Sequence, residues 1–414
     1  MSAESVTPFA TKKAVRPVQL GYDGNYIEIE GFGRCLDANA SYWYKILGHN
    51  NPELIEARNR DTSGSHLYEG FIHPEALRLA EMLKDKSGFA QVCYALSGSV
   101  ANDNALKAAF MYHRAKGRTN RDVVVSLVGG YHGDTELLCH IAGFDYATFL
   151  PQRDISRKIK PPYMPKSEKE VFQRADQLYS LIASEHLEDR IATFIYEPVM
   201  GVRGTVELPK SYLERIKEIC DQHDILMVGD EVTTGFYRTG SLFAFEHTGI
   251  KPDIMALGKA FTNGEFPMSA TLFSEKIVNA LDNLQERYPQ NRVYIFGNTL
   301  AGLPAGCLVA QKVLEILERD DYLAKVQEKG VYALSRLSGL KSLSTVRDVR
   351  GNGLMITVDS QDSHLAETVQ LEMRKRKVHL IPEGRMIMFM PSFTITKEEI
   401  DYFAENLEAV LKSA

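Results

Sequence analysis

The feature that most limits the possible folds is a series of short, almost wholly apolar runs separated by amphipathic stretches. Residues 122–128 read Asp-Val-Val-Val-Ser-Leu-Val, with apolar side chains on both faces, as a strand buried on both sides requires. The same character recurs at Gln91–Ala95, 192–196, 225–229, Ile254–Leu257 and 270–273. Helical patterns lie between these runs. Pro74-Glu75 opens one that carries Leu77, Leu79, Ala80 and Leu83; residues 101–112 are rich in alanine and methionine; residues 212–221 set Leu213, Ile216 and Ile219 on one face. Strands alternating with helices predict an α/β fold, in which a mostly parallel sheet is covered on both sides.

The two ends of the chain read differently. Residues 26–30 alternate, meet Gly31 and Gly33, and resume at 34–37, which predicts a small antiparallel hairpin. Beyond about Glu315 come a long helix near 323–337, strands at 345–350 and 354–358, and a last helix opened by Thr396-Lys-Glu-Glu399. In that capping box the two side chains satisfy each other's amides, and Ile400, Phe403, Leu407 and Leu411 mark the buried face. The expected division is a large central domain over 71–315, with residues 1–70 and 316–414 joining in a smaller α+β domain.

Composition narrows the class of partner. A chain of 414 residues with 44% hydrophobic and 25% charged residues has ample core and is neither disordered nor fibrous. A formal charge of -6 argues against nucleic acid as a general partner. Five cysteines with no CxxC pair suggest neither a disulfide framework nor zinc, and the 11 histidines include no HExxH, so no metal is expected. The first 17 residues lack a signal-type apolar core, and no apolar run reaches the ~18 residues of a membrane span. The expectation is a cytoplasmic protein with no membrane partner.

In open parallel sheets, ligands sit beyond the carboxyl ends of the strands, and four sequence features fall there. Ser97-Gly98-Ser99 joins a strand to a helix, where free amides and the helix dipole favour an anion; an N-cap and turn is the alternative. Gly130-Tyr131-His132-Gly133 follows the 122–128 strand, and Tyr131 there either offers a ring face to a planar ligand or packs on the core. His132 is equally open to a structural role. Asp230 ends the 225–229 run, where a carboxylate needs a cation, a donor or a helix to cap. Lys259 follows Gly258 at the end of another buried strand, and a buried lysine loses proton affinity and becomes nucleophilic. Phosphate, planar ring, ring nitrogen and aldehyde carbon would answer these four features in turn, and pyridoxal 5'-phosphate carries all four groups.

The ordered set Tyr196-Glu197-Pro198, GDEVTTGFYRTG at 229–240 and PDIMALGKAF at 252–261 resembles the class III pyridoxal-phosphate aminotransferases of fold type I. SGSVA at 97–101, YHGDT at 131–135 and Gly297-Asn298-Thr299 extend the resemblance over nearly the whole chain. Within that class the chain looks most like the biotin-pathway enzymes that aminate 8-amino-7-oxononanoate, because Tyr42 and Trp43 in SYWYKILGHNNP match a tandem-aromatic segment. The resemblance implies a large domain with a seven-stranded type of sheet and a ping-pong transfer of an amino group from a donor amine to a ketone or aldehyde. Lys259 would hold the cofactor covalently and shuttle a proton, and Asp230 would keep the pyridine nitrogen protonated. Tyr131 would stack on one ring face, Val232 on the other. Gly98 and Ser99 would bind the phosphate, with His132, Glu197 and Asn298 around the cofactor. Thr299 would reach the phosphate of a neighbouring subunit, making a homodimer with shared sites. Arg238 would neutralise a substrate or pair with a carboxylate.

Three departures bear on the substrate. Where the biotin enzymes hold a substrate carboxylate with an arginine, within a pattern resembling V-W-I-R-P-F-G, this chain reads Val378-His379-Leu380-Ile381-Pro382-Glu383-Gly384 and places Ile381. Glu383 would repel a carboxylate, and Arg385 is displaced along the strand. Met388 stands where many class III enzymes have another arginine, and Tyr237 replaces a glycine, either reshaping the channel or packing at the surface. The expectation is an aminotransferase of specialised metabolism whose acceptor lacks the usual carboxylate anchor. The alternatives are the biotin-pathway reaction itself, with Arg385 or Arg238 compensating, and a racemase or aminomutase using the same machinery.

Overall fold

The structure is a computed structural model that describes residues 17–60, 72–362 and 365–413. The leader reading of the first residues and the expected boundary at 70/71 lie outside the described residues.

The apolar runs form one seven-stranded sheet. Its order is Gln91–Ala95, Ser269–Phe273, Ile254–Leu257, Leu226–Asp230, Ile191–Tyr196, Val123–Leu127 and Ser156–Ile159. All neighbours are parallel except at Ser269–Phe273, which runs antiparallel to both strands beside it. In the parallel part, Asp230 pairs with Ala256 and Gly229 with Tyr196, so these strands end at one edge. One face is covered by the helix Gly98–Ala115, whose Ala101, Ala105, Ala108 and Ala109 are buried. Its small side chains let it pack close to Val124, Ile195, Leu226, Val228 and Ile254. Each large aliphatic residue fully buried there stabilises the sheet by about 1.5–3 kcal/mol. The other face is covered by Glu168–Glu185 and Lys210–Gln222, which present Leu178, Ile182, Leu213, Ile216 and Ile219.

The chain ends meet in a further layer. The hairpin Tyr26–Ile29 and Gly33–Asp37 is extended on one side by Gln19–Asp23 and on the other, in parallel, by Val378–His379. A second antiparallel sheet runs Val346–Asn352, Met355–Ser360, Met386–Phe389 and Pro382–Glu383. The capping box forms: the Thr396 amide donates to Glu399 Oε2 at 2.9 Å and the Glu399 amide to Thr396 Oγ1 at 3.2 Å, ahead of the helix Lys397–Ser413. The expected break at 315/316 falls inside a continuous helix, Pro304–Arg319. Its buried Leu314, Ile316 and Leu317 share one core with Leu54 and Leu79 before it and with Val326, Ala333 and Leu337 after it, so the packing runs on through this point.

Candidate active site

Four parallel strands deliver their next residues to one place. Asp230 closes its strand with 4% of its surface exposed, and three donors hold its carboxylate. Asn102 Nδ2 and His132 Nδ1 both lie 2.8 Å from Oδ2, and the Val232 amide donates to Oδ1 at 3.1 Å. His132 is fixed in turn because its carbonyl accepts from Asn102 Nδ2 at 2.8 Å. Asn102 was not anticipated from the sequence. Its one signal was a buried amide in the first turns of an otherwise alanine-lined helix face.

Glu197 follows the strand Ile191–Tyr196 and accepts the amides of Tyr131 at 3.1 Å and Gly201 at 3.0 Å. Burial pushes its carboxyl up to about 7, with the neighbouring Asp230 charge adding to the effect. Its contact is thus with the Tyr131 loop, which it ties down. Burial also pushes the Tyr131 phenol up to about 12.

Among the described residues, Lys259 Nζ has one hydrogen bond, to Thr233 Oγ1 at 2.6 Å, and lies 5.1 Å from the centre of the Trp43 ring. Burial pushes its ammonium below the usual lysine range, against the opposing pull of Asp230 and Glu197. The backbone at Lys259 is left-handed, with φ +46°, and Trp43 sits at φ +71°. Such conformations cost on the order of 1–3 kcal/mol each for ordinary residues and persist where the surroundings impose them.

The Ser97–Ser99 turn answers both readings. Ser97 Oγ accepts from the Val100 amide at 3.3 Å and so caps the helix, while the amides of Gly98 and Ser99 belong to the first turn, which has no intrahelical acceptor. Ser99 Oγ donates to Asp134 Oδ1 at 3.1 Å, a second partner the sequence did not single out. Gly98 is required by contact: a Cβ there would come within 2.7 Å of Val232 Cγ1, and one on Gly258 would come within 3.1 Å of the same atom. Asn298 and Thr299 stand apart. Thr299 is exposed, the Asn298 side-chain oxygen is buried without a partner, and among the described residues neither bonds to the Gly98–Ser99 turn.

The residues expected near the substrate divide. Tyr42 donates its phenol to Glu383 Oε1 at 3.0 Å, and its ring lies 4.9 Å from that of Trp43. Ile381 is half-buried and its amide donates to Asn39 Oδ1 at 2.8 Å. Arg238 corrects the expectation: it is fully buried and meets no carboxylate. Its guanidinium donates to the carbonyls of Leu354 at 3.0 Å, Pro391 at 2.7 Å and Trp43 at 3.4 Å, and burial brings it down to about 9. It therefore ties together three segments of the chain and leaves no guanidinium face for a substrate. Arg385 is also engaged, with Nε 2.6 Å from Asp359 Oδ1 and Nη2 3.3 Å from the Tyr163 hydroxyl. Met388 is buried in a cluster with Trp43, Met355, Met386 and Met390, and Tyr237 packs against the main core.

The donor set fits pyridoxal phosphate. A lysine of lowered proton affinity, not matched to a carboxylate by direct contact, supplies the amine for its aldehyde. A buried aspartate held by three donors supplies the partner for its ring nitrogen, and the unused amides of a helix start supply an anion cradle.

Comparison with known proteins agrees. Residues 13–411 match the aminotransferase class-III family. An adenosylmethionine-8-amino-7-oxononanoate aminotransferase of Geobacter sulfurreducens is 32% identical, over 93% of this chain and 90% of its own. Gamma aminobutyrate transaminase 2 of Solanum lycopersicum is 27% identical over 92% of this chain and 88% of its own. Among solved structures, a PLP-bound amine transaminase from an uncultivated Pseudomonas species matches with a TM-score of 0.91 at 29% identity, covering 100% of this chain and 99% of that one. The chain belongs to the class-III aminotransferases, fold type I enzymes that use pyridoxal phosphate to move an amino group between an amine and a carbonyl compound.

Proposed function

We propose that this aminotransferase takes a carbonyl acceptor that is neutral or cationic at its far end, and not the carboxylate-bearing ketone of the biotin pathway. The observation that carries the reading is Glu383. An acidic side chain joined to Tyr42 stands two residues from Ile381, while Arg238 and Arg385 are both engaged elsewhere. A carboxylate brought there would meet repulsion and no guanidinium fork.

When bound, pyridoxal phosphate supplies an electron sink for the charge left as a proton leaves the substrate carbon. The protein's own residues do the rest. Asp230, oriented by Asn102 and His132, would keep a proton on the cofactor's ring nitrogen. Lys259, neutral at lower pH than an exposed lysine and held by Thr233, would anchor the cofactor and carry the proton. Tyr131 and Val232 would flank the cofactor, and Gly98 and Ser99 would bind its phosphate. Thr299, exposed on a segment with Tyr294, Ile295 and Leu300 also exposed, would reach the site of a second copy, so we read the active form as a cytoplasmic homodimer. Sedimentation as an active monomer would overturn that part.

The test of substrate class is competition between 8-amino-7-oxononanoate and neutral ketones, followed in the native protein and in Ile381→Arg. The native protein should use the carboxylate-bearing ketone poorly, and the substitution should improve its use by roughly ten- to a hundredfold, or about 1–3 kcal/mol. Efficient native turnover of that ketone would restore the biotin-pathway reading, which the likeness to the Geobacter enzyme favours. Stoichiometric conversion of donor amine to its carbonyl would separate transamination from racemisation or amino migration.

A further inference from the structure

Glu383 is a half-buried carboxylate with a single neutral partner among the described residues. It sits on the short strand Pro382–Glu383, and its one hydrogen bond comes from the Tyr42 hydroxyl at 3.0 Å. No lysine, arginine or histidine among the described residues pairs with it, because Arg385, two positions on, turns to Asp359 and Tyr163. Loss of water raises its proton affinity, and the Tyr42 hydrogen bond only partly offsets that. A carboxylate so placed lacks a cation.

A chain of aromatic contacts starts at the same carboxylate. Tyr42 stacks obliquely on Trp43, with ring centres 4.9 Å apart. Tyr131 and Tyr146 form a second pair, edge to face at 6.2 Å. Burial pushes the Tyr42 phenol up, and Glu383, Tyr131 and Tyr146 add to the effect. Burial raises the Tyr146 phenol too, with the Glu383 charge adding to it. Lys259 Nζ lies over the far partner of this group, 5.1 Å from the Trp43 ring centre. Three contacts therefore lead from the lysine amine, through Trp43 and Tyr42, to the carboxylate. Electron-rich ring faces around a carboxylate bind ammonium groups by cation–π attraction and charge pairing together.

We infer that Glu383, Tyr42 and Tyr146 form a subsite for a second positive charge on the substrate, so that the preferred amines are diamines or amino-substituted carbonyl precursors. The inference rests on the aminotransferase reading above and deepens it by naming the distal group. Tyr42 orients the carboxylate, and the aromatic rings beside it offer the ammonium an electron-rich lining.

The experiment compares α,ω-diaminoalkanes with n-alkylamines of the same length as amino donors to the holoenzyme. The diamine-to-monoamine ratio of kcat/KM should exceed about ten in the native protein and fall roughly tenfold in Glu383→Gln, as expected for loss of one charge-assisted contact. Glu383→Lys should shift preference toward ω-amino acids. An equal ratio in the native protein, or one unmoved by both substitutions, would overturn the subsite. If no amine is used as donor, the transaminase reading fails, and binding then judges the subsite separately. Trp43 is the chain's single tryptophan, so its emission reports on this wall. Tetramethylammonium should change that emission saturably in the native protein and at roughly tenfold higher concentration in Glu383→Gln. Equal titrations would remove the inference.

Discussion

The cofactor floor and the substrate wall of this site are built on opposite terms. On the floor, Asp230, His132 and Asn102 are nearly or wholly buried, bonded to one another, and set by strand ends and a helix of the central sheet. On the wall, Tyr42 is 43% exposed, Tyr146 is 47% exposed, and Glu383 holds one hydrogen bond. The floor's geometry follows from sheet register, which admits little variation. The wall comes from a strained turn near Trp43 and a two-residue strand, where a few substitutions change what is recognised without disturbing the chemistry.

That contrast predicts where damage is greatest. Lys259→Ala should reduce turnover by on the order of ten-thousandfold or more, since both anchor and proton carrier are lost. Borohydride reduction and peptide mapping of the native protein should find the cofactor on Lys259, and a label on another lysine would break the assignment of the floor. Asp230→Asn should slow the amine half-reaction by about a hundred- to a thousandfold, because an amide cannot hold the ring nitrogen protonated. Stopped-flow absorbance measures this step, and a loss below about tenfold would mean that the buried carboxylate is structural.

The smallest effect concerns stability. Glu231, directly after Asp230, is fully buried, and its carboxylate accepts from Thr234 Oγ1 and from the Ala244 and Phe245 amides, the latter two at 3.0 and 2.8 Å. Burial nonetheless pushes it from 4.5 up to about 7. Between those values the native chain keeps a proton that the unfolded chain has released. Stability therefore falls as pH rises across that window and levels off above it, by up to roughly 3 kcal/mol for this group. Denaturant midpoints at several pH values should show a shallower slope in Glu231→Gln. The same change at the wetter Glu383 should move the slope less, and an equal response would erase the distinction between floor and wall.

Much of the fold was legible because its signals are local. Buried strands such as Ile254–Leu257 declare themselves by composition, and the Thr396–Glu399 box needs only four residues of context. Strand direction does not: Ser269–Phe273 reads like its parallel neighbours yet runs against them, since an apolar run carries no sign of its sense. Arg238 was misread for a similar reason. Its partners Leu354 and Pro391 lie 116 and 153 positions away, and carbonyls as recipients leave no trace in sequence. The Tyr42–Glu383 bond was out of reach too, although both residues had been singled out, because it joins the two ends of the chain.

The parallel pairing of Val378–His379 with Gly33–Asp37 has a consequence for how the protein is made. Tyr42 leaves the ribosome 341 residues before Glu383. At about 5–20 residues per second, the first half of the wall waits roughly 17–70 s for the second. The central sheet is complete once residue 273 has emerged. A newborn chain can therefore close the surface that holds the cofactor well before it acquires the surface that chooses what reacts.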